Sequence, residues 1–155
     1  INLSSKKLNF HARHNVKKKT YKYIIFNRFT SSPLHQNRSW VIKKKLNLNN
    51  MKKGIKYFLG LHDFSAMRAS SCSAINPERT ITKAQVRKKK DKITINFESK
   101  SFLQKQVRSM VGCLKYVGEN KWKPERIEFV LKSRKRELCA PPAPPDGLYL
   151  QKVFY

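Results

Sequence analysis

Residues Thr80–Gly112 read TITKAQVRKKKDKITINFESKSFLQKQVRSMVG, and the spacing of their apolar side chains changes once along the way. From Thr80 to Arg87, and again from Lys92 to Phe97, apolar and polar residues alternate, which is the period of a strand with one buried face. KKKD joins the two runs as a charged turn, so together they predict an antiparallel hairpin. From Ser101 the period lengthens. Leu103, Val107, Met110, Leu114 and Val117 recur at steps of four and three, one face of an amphipathic helix that this spacing starts at Ser101. Arg108 stands on the shoulder of that stripe.

Upstream, KTYKYIIF (Lys19–Phe26) mixes aromatic and β-branched residues and reads as a buried strand entered from a basic loop. A second strand is expected at Trp40–Ile42, after the turn at Ser31–Pro33. A helix is expected over Asn50–Leu59, capped by Asn49 or Asn50 and stopped by Gly60. His62–Cys72 has no clean period and reads as a loop with a short strand. Downstream, Pro124 suits the first turn of another helix in KPERIEFVLKS. The proline-rich Ala140–Gly147 can be neither helix nor central strand, and LYLQKVFY closes the chain as a strand. This order predicts one α+β unit, in which helices cover one face of a mainly antiparallel sheet and the other face is available to RNA.

Composition narrows the partner. Lys and Arg number 35 against 9 Asp and Glu, a net charge of +26, while aromatics at 11% mark a folding sequence. Such an excess calls for a polyanion. The chain shows no signal peptide, basic amphipathic anchor or long apolar run, so nucleic acid is favoured over a membrane surface. Abundant Lys, Asn and Ile together suggest an AT-rich coding sequence, and individual lysines therefore carry less meaning than their sum. Cys72, Cys113 and Cys139 form no CxxC pair and are odd in number, which argues against a zinc site or a secreted disulfide framework. Reduced thiols in the cytoplasm are expected, with an organelle as the other option. A start at Ile1 suggests an excerpt of a longer protein or a processed one.

Five strings occur in order: FHARHNVKKKTYKY from Phe10, GLHDFSAMRASSC from Gly60, NPERTI from Asn76, SFLQKQVRSMVGCLKYVG from Ser101, and APPDGLYLQKVFY at the end. Together they resemble the C-terminal half of the TruA-type tRNA pseudouridine synthases. The resemblance runs over nearly the whole chain. It implies that residues 1–155 are one catalytic subdomain related to ferredoxin-like units, within a homodimer that embraces tRNA. It implies isomerisation of uridine to pseudouridine in the anticodon stem-loop, at tRNA positions 38 to 40, with no cofactor and no metal.

The resemblance also implies roles for particular residues. Tyr21 matches the active-site tyrosine that packs on the target uracil, and Arg108 matches the arginine that faces the catalytic Asp. The family's Asp lies in a GRTDxGVHA-type motif. None of Asp63, Asp91 and Asp146 follows Gly-Arg-Thr, so the nucleophile is expected from an N-terminal part that this chain does not contain. Arg13, Lys17, Lys18, Lys19, Arg68 and Arg79 lie in or beside the family strings and are expected to hold RNA phosphates. Gln104, Lys105 and Gln106 stand where the family usually has His, His and Met. That departure, with the missing Asp, motivates the alternative of a non-catalytic RNA-binding or ribosome-associated protein on the same fold, with ribosomal RNA as partner. A helix-based DNA binder has only the charge in its favour.

Overall fold

The computed structural model describes residues 8, 10–12, 15–30 and 33–155. In chain order the described elements are β1 (Lys18–Asn27), β2 (Trp40–Ile42), α1 (Leu48–Gly54), β3 (Gly60–Asp63), β4 (Glu78–Lys89), β5 (Lys92–Ser99), α2 (Gln106–Gly118), α3 (Arg126–Ser133) and β6 (Leu148–Phe154), with short 3-10 turns between several of them.

The hairpin forms where alternation places it. β4 and β5 pair antiparallel, and Lys90 makes the turn with φ of 54°. Ile93, Ile95 and Phe97 on β5 are fully buried, each burial contributing roughly 1.5–3 kcal/mol. On β4, Ile81 and Ala84 are out of phase for a regular strand. A register shift between Ile81 and Lys83 absorbs one residue, so that both can face inward with Val86.

β1 pairs with three other strands. Its register with β5 sets Tyr21 beside Phe97, Tyr23 beside Ile95 and Ile25 beside Ile93. With β5 occupying one edge of β1, the other is shared end to end: β6 runs antiparallel along Lys18–Tyr23, and β2 runs parallel along Ile25–Asn27. The sheet is mixed, mostly antiparallel and six-stranded, as the α+β expectation requires.

The inward face joins one core with Met51 of α1, Met110 and Leu114 of α2, and Ile127 and Val130 of α3. Thr20, Lys22, Thr94, Asn96, Lys83 and Gln85 occupy the alternate positions and give the opposite face its polar character. Ile24 is a buried exception there, and so is Phe26. His35 stacks on its ring at 4.1 Å, which lets an aromatic stay buried on the polar side.

Two helix starts differ from the sequence reading. Asn47 caps α1, rather than Asn49 or Asn50: its backbone is extended, its Oδ1 accepts from the Asn50 N–H at 3.1 Å, and its own N–H is anchored on Gly118 O at 2.7 Å. After Gly54 the helix tightens into a 3-10 turn, and Gly60, with φ of 93°, opens β3. α2 starts at Gln106 instead of Ser101. Lys105 adopts φ of 62°, and Ala69 N–H binds Gln104 O at 3.0 Å, which holds the approach segment out of the helix. Buried Leu103 therefore packs below α2 without belonging to it.

Candidate active site

Tyr21 and Tyr23 point to the same side of β1, but only Tyr21 lines a cleft. Tyr23 is wholly buried, and its hydroxyl donates to Pro144 O at 2.7 Å. Burial pushes its pKa up, Arg108 opposes that shift and Asp146 adds to it. Tyr23 is thus a structural pin beneath the proline-rich strap. Tyr21, one pair of residues nearer the sheet's end, is half-buried and meets Phe102 edge to face, with ring centroids 5.2 Å apart.

Arg108 reaches the same place from α2. Its Nε donates to Ala143 O at 2.6 Å, and Ala143 N–H returns a bond to Arg108 O at 2.9 Å. One of the five guanidinium donors is fixed by these bonds, so the fork is oriented while the remaining donors stay available. The strap can approach this closely because residue 112 is glycine: a Cβ there would collide with the Pro141 carbonyl. Tyr21, Phe102, Gln106, Arg108 and Leu148 line one cleft of about 420 Å³. It therefore combines an aromatic face, apolar walls and an oriented cation. An anion brought near Arg108 and a flat ring brought onto Tyr21 would be neighbours.

The basic residues divide. Lys18 is paired with Glu98 at 3.3 Å and lies over the Phe154 ring. Arg68 donates to Ala74 O at 3.0 Å and braces its own loop. Arg79 is held by Asn76 O and Glu78 O at 2.8 and 2.6 Å, and it shares a second cleft with Lys19. Lys17 is exposed, and Arg13 falls outside the described residues. Among the described residues no group of three or more His, Cys, Asp or Glu could hold a metal ion, and no helix is long and apolar enough to cross a membrane. Sequence reasoning passed over Phe102, Leu148, Ala143 and Lys100. Phe102 lay inside a quoted string as an apparent helix residue, and nothing in the local pattern distinguishes Lys100 from its fellow lysines.

Comparison with known proteins shows what this chain is similar to. A family model described as tRNA pseudouridine synthase matches residues 55–155. The chain is 54% identical over 153 residues to the tRNA pseudouridine synthase A of Pelagibacter ubique, covering 99% of this chain and 62% of that protein. It is 44% identical over 146 residues to the enzyme of that name from a Thermoanaerobacter species, covering 94% and 60% respectively. The one from Ehrlichia chaffeensis is 42% identical over the same length and coverage. The chain spans about 60% of the length of these curated relatives. The family match over residues 55–155 and the identity to these relatives lead to one conclusion: this chain belongs to the tRNA pseudouridine synthase family.

Proposed function

We propose that the chain is a catalytic-core portion of a tRNA pseudouridine synthase. In this reading it isomerises uridine to pseudouridine in the anticodon stem-loop, with the nucleophilic Asp supplied by a part of the protein outside these residues. The observation that carries the proposal is the meeting of Tyr21 and Arg108, from β1 and α2, in one cleft.

The reaction breaks the bond from C1′ to N1 of uracil, turns the base, joins C1′ to C5 and removes the C5 proton. Each step makes a demand on this cleft. The freed base must be held while it turns, and stacking on Tyr21 does so without a directional bond, at roughly 1–3 kcal/mol per base. The nucleophilic carboxylate must be ionised, and the Arg108 fork stabilises its charged form. In this reading the Tyr21 hydroxyl assists departure of the C5 proton.

The same reading makes tRNA the substrate and a homodimer the working form, since the family resemblance implies both. Light scattering of the full-length protein would report the dimer. The activity is tested by release of tritium from [5-³H]uridine-labelled tRNA. Tyr21→Phe is expected to keep tRNA binding and lose turnover, and Arg108→Lys to fall at least about tenfold, because lysine keeps the charge but not the fork. Wild-type turnover in both variants would remove these residues from the mechanism. A full-length protein that binds RNA and releases no tritium would favour the non-catalytic alternative.

A further inference from the structure

Beside the Tyr21 cleft lies a larger one, of about 600 Å³, and the two share Phe102, Leu103 and Gln104 as a common wall. Its cations are Lys19 from β1, Arg79 from β4, and Lys100 from the segment between β5 and α2. Among the described residues no carboxylate lines it, and none of the three cations takes part in an ion pair. Neighbouring Lys18, by contrast, is neutralised by Glu98.

Two further observations show a built pocket rather than a basic surface. The Arg79 guanidinium is held in place by two backbone carbonyls, while its Nε is buried with no hydrogen-bond partner. Cys72 also lines the cleft, beside the backbone amides of Ala74 and Gln104. Those amides first, then Arg68 and Arg79, hold the thiol below its ordinary pKa against the effect of burial, as a locally positive potential would. Backbone amides, a fixed guanidinium and two lysines that face an unbalanced concavity suit an anion.

The shared wall selects the anion. A chain whose uracil sits on Tyr21 has its next phosphodiester only a sugar away, and the second cleft lies just across Phe102, Leu103 and Gln104. We infer that the Lys19–Arg79–Lys100 cleft binds the phosphodiester of the RNA nucleotide adjacent to the uridine seated on Tyr21. This inference rests on the reading of the Tyr21–Arg108 cleft as the base site. It adds Lys100 and Cys72 to the RNA-contacting surface and gives Lys19 and Arg79 a common ligand.

The test uses the full-length protein and an anticodon stem-loop RNA. Combining Arg79→Gln with Lys100→Gln should raise Kd about tenfold near 0.1 M salt, and should flatten the slope of log K against log salt by about 0.7, for one lost phosphate contact to a single strand. In the unmodified protein, alkylation of Cys72 by iodoacetamide, followed by peptide mass spectrometry, should slow at least about fivefold with saturating stem-loop. Neither uridine nor 10 mM inorganic phosphate should give that protection.

An unchanged Kd and salt slope in the double variant would overturn the assignment, as would a Cys72 rate indifferent to RNA. Equal protection by inorganic phosphate would also overturn it, by making the cleft a site for free phosphate. If tritium release still depends on Tyr21 and Arg108 in any of those cases, the proposed activity stands and only the pocket fails. Loss of that dependence with the pocket results intact would break the base-site reading instead.

Discussion

At the residue scale, the site depends on a glycine as much as on the side chains that would touch RNA. Gly112 lets the Pro141 carbonyl lie directly on α2, and the strap so placed presents Ala143 to Arg108. Gly112→Ala must move that backbone, so it should cost roughly 1–3 kcal/mol and loosen Arg108 at the same time. Gly118 is the matched control. Its nearest neighbours are the Sδ and Cγ of Met51, a flexible side chain, and alanine improves helix propensity. Gly118→Ala should therefore stay within about 1 kcal/mol of the parent. Urea midpoints of the two variants, with tritium release as the second readout, check both statements. Equal destabilisation would remove the strap from the account of Arg108.

At the scale of elements, α2 is the piece on which core and site both depend, and its C-terminal end has its own electrostatics. Glu119 is almost buried and lies 2.9 Å from Lys115 Nζ and 3.2 Å from Lys121 Nζ. Burial alone would raise its pKa; the two ammonium groups outweigh that and lower it. A depressed folded-state pKa contributes stability above the unfolded value near 4.5, and that contribution fades as pH falls through the folded value. Glu119→Gln should accordingly lose stability at pH 7 and show a smaller drop than the parent between pH 5 and pH 3, read by thermal melts. An identical pH profile in both proteins would rule the carboxylate out as a source of that drop.

The same elements show what could be read from sequence. The β4–β5 hairpin was legible because alternation and a charged turn are local, and so was the buried stripe of α2. The start of α2 was not, since Lys105 turns left-handed through contacts with a loop more than thirty residues earlier in the chain. The Asn47 cap was missed because three nearby asparagines offer the same side chain, and only the anchor on Gly118 O selects among them. Tyr21 and Arg108 were named through recurring strings, whereas Lys100 and Phe102 acquire their positions only when β1 and the approach to α2 come together.

For the whole molecule, a net charge of +26 on 155 residues means self-repulsion that a polyanion relieves. The melting temperature of the chain should rise by several degrees between about 10 mM and 150 mM salt as screening sets in, and should rise again on adding stem-loop RNA at low salt. A melting temperature that falls over the first range would show that attractive pairs such as Lys115–Glu119 outweigh the repulsion. The pairing of β1 with β6 carries a different consequence. Lys18 stands beside Phe154, so the strand that presents Tyr21 keeps most of one edge unpaired until Leu148–Phe154 has left the ribosome. During translation that edge can recruit a strand from another nascent chain, and a message ending before Leu148 would release a protein permanently exposed to such pairing.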